Sequence, residues 1–204
     1  MAKKTTLLFD LGGVIVPWIG LECLAERRET TRENIIETLS KSEAFNAYEA
    51  GKCNDSEFCT EMIKLFEYDI SPEAFALIWN SWVRPPFPGV VSALQHLKRD
   101  YTLACLSNTN VLHWTHLKTM LDLEGVFDHC FASHLIGVAK PAPESYFIPL
   151  KSMGVNANDI VFFDDTKENV NAARKLGITS YLVDHKQGVI PTLRKFLEET
   201  SSSS

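Results

Sequence analysis

The hydrophobic positions divide the chain into two parts that have different periodicities. Between residues 15 and 86, apolar residues recur at the three- and four-residue spacing of an amphipathic helix. One such stripe consists of Phe75, Ile78, Trp79 and Trp82. Helix-start patterns occur at Thr30–Glu33, at Asn54 with Glu57, and at Ser71 with Pro72. We therefore predict a small helical domain over residues 15–86, inserted after a buried first strand at residues 6–10.

From residue 87 onward, short apolar runs alternate with helical patterns. The runs predict strands at residues 101–106, 127–132, 160–163 and 180–183. One of the helices, at residues 145–153, contains Pro149 and should be interrupted or bent there. Such alternation is typical of a mostly parallel sheet covered by helices on both faces. The expected fold is α/β, with a Rossmann-like three-layer core over residues 1–14 and 87–200 and a disordered tail at residues 201–204.

Composition and charge exclude several classes of partner. The 204 residues carry a formal net charge of -6 and no run of Lys or Arg, so we expect neither a nucleic-acid partner nor an anionic membrane. No apolar run approaches the roughly 18 residues of a transmembrane helix, and the apolar segment near the N-terminus is too short for a signal peptide. The five cysteines are odd in number and lack a Cys-x-x-Cys pair, which indicates reduced thiols in a cytoplasmic protein.

Several polar side chains follow the predicted strands, at the point where each strand ends. Asp10, Ser107 and Asp165 have this position, and Lys140 lies on a loop that could reach them. In open parallel sheets, ligands bind outside the carboxyl ends of the strands, where the strand order switches. Right-handed crossover connections would bring these four residues to one crevice.

The carboxylates at this crevice suit a divalent cation. Asp10, Asp164 and Asp165 would lie close together, which is unfavourable unless a cation lies between them. Mg²⁺ typically binds one or two carboxylates and keeps waters and phosphate oxygens as its other ligands. With a phosphorylated substrate, Asp10 would be the nucleophile that forms an aspartyl-phosphate.

The other residues at the crevice suit an anion. Ser107 and Asn108 offer hydrogen-bond donors, and Gly12 and Gly13 allow the main chain to approach an anion closely. Lys140 offers a positive charge that could contact a phosphate or orient the nucleophile.

These residues also have purely structural interpretations. Asp164 and Asp165 could cap the following helix, as could Ser107 at its own strand end, and Lys140 could lie in a solvated turn. His113, shortly after Ser107, is more typical of packing than of substrate contact. The pattern assigns Trp79 and Trp82 to the core of the helical insert instead of to a substrate cage. Trp18 has the same assignment but is the best candidate for an exception, because it lies just past the Asp10 loop.

Four motifs resemble those of the haloacid dehalogenase-like hydrolase superfamily and occur in the same order. They are FDLGGV at residues 9–14, LSNTN at 106–110, GVAKPAPE at 137–144 and FFDDTKEN at 162–169. The helical insert is similar to the C1 cap of that family, which closes over the active site. Within the superfamily, the motifs are most similar to those of the bacterial α-D-glucose-1-phosphate phosphatase, and less closely to those of the N-terminal phosphatase domain of soluble epoxide hydrolase.

The resemblance implies a role for each matched position. Asp10 would be the nucleophile, assisted by Lys140. The Mg²⁺ ligands would be Asp10, Gly12 through its main-chain carbonyl, and Asp165, with Asp164 supporting them. The phosphoryl group would be held by Asp10, Ser107, Asn108 and Lys140, and by the main chain of Leu11 and Gly12.

The chain departs from the family pattern at Gly12, where most phosphatases of the superfamily have a second aspartate that acts as general acid and base. Such catalysis contributes roughly 10²–10⁴-fold. Water, a neighbour of His113, or Glu49 could substitute, and the sequence does not distinguish them. The expected function is a Mg²⁺-dependent phosphatase for a small phosphorylated metabolite such as a sugar phosphate. The alternatives are a metal-independent 2-haloacid dehalogenase of the same fold, and a protein that binds a phosphorylated ligand without turnover.

Overall fold

A five-stranded parallel sheet forms the centre of the molecule. The computed structural model describes residues 4–202. The strands are β1 (Thr6–Phe9), β2 (Thr102–Ser107), β3 (His129–Ala132), β4 (Ile160–Asp164) and β5 (Thr179–Leu182). All neighbouring strands are parallel, in the order β3-β2-β1-β4-β5. The α/β fold with a parallel sheet is confirmed.

The helices fall into two groups along the chain. Between β1 and β2 lie α1 (Gly20–Arg27), α2 (Arg32–Lys41), α3 (Glu43–Glu49), α4 (Asp55–Phe66), α5 (Pro72–Ser81) and α6 (Val90–Leu97). The remaining helices are α7 (Val111–Leu121), α8 (Leu123–Val126), α9 (Ser133–Ile136), α10 (Pro143–Met153), α11 (Lys167–Lys175) and α12 (Ile190–Ser201). Within residues 4–202, no helix combines the length and the apolar character that a membrane span requires.

Strand β1 is covered on both faces, which explains why it is apolar from Leu7 to Phe9 and why Thr6 is buried with them. Leu7 and Phe9 pack into the hydrophobic cluster on one face of the sheet, where the ring of Phe9 stacks on Phe163 with 5.1 Å between centroids. Leu8 points the other way and packs with Phe162 in the cluster on the opposite face. The central strand is thereby fixed, and the residue that follows it emerges at the carboxyl edge of the sheet.

Helices α1–α5 have a hydrophobic cluster of their own, which includes Tyr48, Phe58, Phe75 and Trp79. The side chains of Asn54 and Ser71 cap α4 and α5 as predicted, and Asn54 forms a reciprocal capping box with Glu57. Helix α2 is capped by Thr31 through the Asn34 N–H, one residue later than the capping-box pattern at Thr30–Glu33 predicts. Helix α1 was not predicted, because its preceding residue provides no side-chain cap.

The two connections between this helical insert and the sheet lie side by side. The main-chain N–H of Ile19 donates to the carbonyl of Trp82 at 3.0 Å, and that of Arg84 donates to the carbonyl of Pro17 at 2.9 Å. Trp18 and Val83 form an antiparallel bridge between these bonds. The insert therefore begins and ends at one short two-stranded connection.

Two predictions about the C-terminal half need correction. Helix α10 continues through the buried Pro149, so the predicted interruption is wrong, and the alternative of a bend at this residue stays a prediction. Helix α12 extends to Ser201, so the tail that we expected to be disordered from residue 201 is helical at its first residue. Residues 203 and 204 lie outside the described residues.

Candidate active site

The predicted residues converge at the carboxyl ends of the central strands. Asp10 directly follows β1, and Asp164 ends β4. Lys140, on the loop between α9 and α10, is 3.1 Å from Asp10 Oδ1 and 2.6 Å from Asp164 Oδ2 through its Nζ atom. Carboxylate oxygens of Asp10, Asp164 and Asp165 lie within 4.8 Å of one another. The crevice expected from the strand ends is therefore present.

The ammonium group of Lys140 is fully occupied. Besides the two carboxylates, it donates to the main-chain carbonyl of Leu106 at 2.8 Å. An ammonium group has three protons, so all of them have acceptors, and the side chain is buried. The alternative interpretation, in which Lys140 lies in a solvated turn, is therefore wrong. Its side chain instead orients Asp10.

The Asp164 carboxylate is also fully engaged, at 0% exposure. Besides Lys140, it accepts hydrogen bonds from the main-chain N–H of Thr166 at 2.8 Å and from the side-chain amide of Asn169 at 3.1 Å. The bond to Thr166 joins residues two apart ahead of α11 and is not the helix cap that the structural interpretation anticipated, because the N-cap residue of α11 is Thr166 and it makes no side-chain capping bond. Sequence reasoning missed Asn169, which could have been found as a polar residue on the buried side of α11.

Asn108 has a different contact from the one that the family resemblance implies. Its side-chain amide donates to the main-chain carbonyl of Lys140, and its side-chain oxygen accepts from the Lys140 N–H, both at 2.8 Å. The side chain thus fixes the Lys140 loop to the end of β2 instead of reaching towards a phosphoryl group. The Leu11 N–H is likewise engaged, since it donates to Asp10 Oδ1 at 2.8 Å.

Other polar groups at the crevice have no partner in the described part of the chain. The hydroxyl of Ser107, a residue that is 3% exposed, makes no hydrogen bond there. Neither the N–H nor the carbonyl of Gly12 is bonded, although the neighbouring N–H of Gly13 donates to Val16. These groups are available to an anion and, through the carbonyl, to a cation.

Two features favour glycine at position 13: its backbone conformation and the close approach of a neighbouring side chain. Its φ is +70°, in the left-handed region, and a Cβ atom would lie where the Asp165 carboxylate lies. Asp165 also contacts the hydroxyl of Thr166 at 3.3 Å through its other oxygen. The glycine thus allows the loop after β1 to approach the carboxylate that follows β4.

The electrostatics of the crevice favour a bound cation. Burial raises the pKa of Asp10 to about 7; Lys140 opposes this, and Asp164 and Asp165 add to it. Burial and Asp164 raise the pKa of Asp165 to about 6 against Lys140 and Arg32. Burial lowers the pKa of Lys140, but the two carboxylates outweigh it and raise the pKa above the usual value. Three carboxylates beside one ammonium group fit a divalent cation, and the groups that could hold it are Asp10, Asp165 and the free Gly12 carbonyl.

His113 and the tryptophans are packing residues at the junction of insert and core. The His113 ring stacks on Trp79, with 5.2 Å between centroids, and its Nε2 atom bonds to the Trp79 carbonyl at 3.0 Å. Burial lowers the pKa of His113 to about 4. Trp18 meets the Trp79 ring edge-on at 6.2 Å, and Trp82 is buried in the insert. The packing interpretation of His113 is confirmed.

Comparison with known proteins agrees with this geometry. A profile of the haloacid dehalogenase-like hydrolase family matches residues 4–177. The chain belongs to this family. In this hydrolase, the matched segment contains the Asp10, Lys140 and Asp165 positions and the complete helical insert.

The hydrolase has relatives among characterised phosphatases. It is 24% identical over 185 residues to a D-ribitol-5-phosphate phosphatase of Bacteroides thetaiotaomicron, covering 86% of this chain and 89% of that one. It is 26% identical over 172 residues to a sesquiterpene phosphatase of Aspergillus oryzae, covering 84% and 85%. A crystal structure of a family enzyme from B. thetaiotaomicron, in complex with magnesium and inorganic phosphate, superposes with a TM-score of 0.75 at 26% identity and covers 88% of this chain and 94% of that one.

Proposed function

We propose that this hydrolase is a Mg²⁺-dependent phosphatase that forms an aspartyl-phosphate on Asp10. The observation that carries the proposal is the unequal environment of the two Asp10 oxygens. Oδ1 is held by Lys140 and by the Leu11 N–H, whereas Oδ2 accepts no hydrogen bond from residues 4–202. One oxygen is therefore fixed and the other is free to attack phosphorus.

The residues around Asp10 account for the formation of the aspartyl-phosphate. Asp10 Oδ2 forms a bond to phosphorus as the bond to the leaving oxygen breaks. The Ser107 hydroxyl and the Gly12 N–H donate to the phosphoryl oxygens, where negative charge is concentrated. Lys140 keeps Asp10 oriented and neutralises part of the charge of the carboxylates. Water then attacks the phosphorus of the aspartyl-phosphate, which releases phosphate and restores Asp10.

Mg²⁺ is the cation that we propose for the carboxylates. Asp10, Asp165 and the Gly12 carbonyl would hold it, and Asp164 would support Lys140 instead of binding the ion, because its oxygens are engaged. When bound, the ion supplies positive charge beside the transferring phosphoryl group.

We propose a small phosphorylated metabolite, such as a sugar or sugar-alcohol phosphate, as the substrate. Two observations support this class. Asp10 is only 9% exposed, which leaves little access for a bulky ligand, and one relative is a D-ribitol-5-phosphate phosphatase. We also propose that the insert, residues 15–86, acts as a C1 cap, with its paired connection at residues 17–19 and 82–84 as the point about which it opens.

The alternative with a specific observation in its favour is a 2-haloacid dehalogenase of the same fold. Gly12 supports it, because an attack on carbon followed by loss of chloride needs no proton for the leaving group. The cluster of Asp10, Asp164 and Asp165 opposes it, since a reaction without a metal ion has little use for three adjacent carboxylates.

Phosphate release tests the proposal. The substrates are 4-nitrophenyl phosphate, glucose 1-phosphate and D-ribitol 5-phosphate, each with Mg²⁺ or with EDTA. We expect wild-type activity to require Mg²⁺ and Asp10→Asn to reduce it to background. The matched control is Asp69→Asn, which makes the same change at an exposed position of the insert and should retain activity. Activity that survives EDTA or Asp10→Asn contradicts the mechanism, and chloride release from 2-chloropropionate without metal supports the dehalogenase.

A further inference from the structure

A carboxyl group of the insert is close enough to the candidate nucleophile to interact with it electrostatically. It belongs to Glu49, the last residue of α3. Helix α3 packs against α9, the short helix that precedes the Lys140 loop. Just beyond α3, the space that a Cβ of Gly51 would fill is occupied by the main-chain carbonyl of His134 in α9. The end of α3 is therefore in close contact with the core.

The insert holds α3 in this position from its other side. Tyr48, next to Glu49, is 1% exposed, and its ring stacks on Phe58 with 4.1 Å between centroids. Its hydroxyl donates to Asp55 at 2.6 Å. A buried, hydrogen-bonded tyrosine at the preceding position leaves the helix little freedom to rotate. Glu49 is thus fixed in direction by its neighbour as well as by the contact with α9.

The Glu49 carboxyl interacts electrostatically with the catalytic groups and has no bonded partner among the described residues. The charged residues that interact with it are Lys140 and Asp10. No hydrogen bond or ion pair shorter than 4 Å joins its side chain to another residue between positions 4 and 202. Burial raises the pKa of Glu49 to about 7, Lys140 lowers it, and Asp10 raises it. Near neutral pH, this carboxyl can therefore both give and accept a proton.

The glycine at position 12 leaves the reaction without a side chain there that could act as a general acid. An alkoxide is a poor leaving group, and the residue two positions after Asp10 has no side chain to protonate it. Lys140 cannot serve, because its three protons are engaged and its pKa is raised. His113 cannot serve either, because its Nε2 atom is bonded to the Trp79 carbonyl.

We propose that Glu49 is the general acid and base of this hydrolase, acting across the contact between insert and core; this rests on the proposed phosphatase function. As Asp10 Oδ2 bonds to phosphorus, the bond to the leaving oxygen breaks and the Glu49 carboxyl transfers its proton to that oxygen. An alcohol leaves, and Glu49 is a carboxylate. It then takes a proton from the water that attacks the aspartyl-phosphate. Phosphate is released, and both residues return to their initial states.

The test compares leaving groups in Glu49→Gln. A substrate that leaves as a stable phenolate, 2,4-dinitrophenyl phosphate, needs no proton, whereas D-ribitol 5-phosphate and glucose 1-phosphate do. General acid catalysis contributes roughly 10²–10⁴-fold, so we expect a loss of that order in kcat for an alkyl phosphate and a loss of less than about tenfold for the dinitrophenyl ester. Glu43→Gln is the matched control, because it makes the same change at an exposed position in the first turn of the same helix.

Two further measurements separate catalysis from positioning. The fall in wild-type kcat for an alkyl phosphate above pH 7, where Glu49 loses its proton, should disappear in Glu49→Gln. Gly12→Asp should restore part of the lost alkyl-phosphate rate in the Glu49→Gln background, since a Cβ at Gly12 would meet only Trp18 Cβ, at 3.7 Å. Rescue of this kind is not expected of a residue that only stabilises the insert.

The outcomes separate this proposal from the phosphatase itself. If wild type hydrolyses both substrate classes and Glu49→Gln loses activity equally on both, Glu49 is not the acid, although the phosphatase stands. An unchanged alkyl-phosphate rate in Glu49→Gln has the same meaning. If wild type releases no phosphate even from the dinitrophenyl ester, the phosphatase function fails, and the proposed role of Glu49 fails with it.

Discussion

Replacing Gly13 by alanine introduces two perturbations that a control variant can separate. The first is backbone strain, because the φ of +70° lies in the left-handed region, which alanine disfavours by about 1–2 kcal/mol. The second is local, because the new methyl group would occupy the position of the Asp165 carboxylate. Gly89 has a φ of +80° and nothing within 4 Å of its Cβ position, so Gly89→Ala introduces the strain alone.

The magnitudes follow from these two terms. For a domain of this size, about 1–2 kcal/mol of strain corresponds to a fall of roughly 2–8 °C in Tm, and we expect this in both variants. Displacing Asp165 removes a proposed metal ligand from its position, and changes around metal ligands typically cost about 10–100-fold in affinity. The Mg²⁺ concentration that gives half-maximal activity should therefore rise by that factor in Gly13→Ala and stay unchanged in Gly89→Ala.

The assay combines thermal unfolding with phosphate release over a Mg²⁺ titration. Equal Mg²⁺ requirements in the two variants would refute the claim that the Gly13 and Asp165 positions form one metal site. A Gly89→Ala protein that is much less stable than Gly13→Ala would refute the strain argument.

Three other predictions concern the charged core of the site. Lys140→Met removes the positive charge that pairs with the buried carboxyls of Asp10 and Asp164. It should lower the free energy of unfolding in urea by about 3–5 kcal/mol at pH 8 and by less at pH 5. An equal loss at both pH values would contradict this. Because the folded-state pKa values of Asp10 and Asp165 are raised to about 7 and about 6, these two groups bind more protons in the folded protein than in the unfolded chain. The stability of the metal-free protein should therefore fall as pH rises from about 4 to 7, and Mg²⁺ should reverse the fall. A stability that rises with pH in EDTA would be inconsistent with this. Asn108→Ala removes two hydrogen bonds to the Lys140 main chain and should cost about 1–3 kcal/mol in urea unfolding, whereas a cost near zero would show that the loop is held by other contacts.

The strands were predictable because the sheet is buried on both faces. A strand such as Thr6–Phe9 reads as a short, nearly continuous apolar run, and that pattern is visible in the sequence. Helices α8 and α9 were not predicted, since four residues are too few to show a helical period. Pro149 suggested an interruption of α10 for a related reason. The sequence shows that a proline lacks an N–H, but it does not show how the residue packs in the fold.

The convergence of the site was predictable, but its hydrogen bonds were not. The rule that parallel strands present their carboxyl ends at one edge brings Asp10, Asp164 and Asp165 together whatever the details. The contacts of Asn108 depend on Lys140, 32 residues away, and those of Asp164 depend partly on Asn169. Which donor a polar side chain uses depends on angstrom-scale placement, and a sequence pattern does not contain that information.

The central claim is that Asp10 forms a covalent bond to phosphorus during turnover. Rapid acid quenching during hydrolysis, followed by mass spectrometry of the peptide that contains residue 10, tests this most directly. We predict a phosphoryl group on Asp10 that forms and decays at the rate of turnover and that is absent from Asp10→Asn. Turnover of wild type with no phosphorylated Asp10 at any quench time, including in the slowed Glu49→Gln variant, would contradict the account.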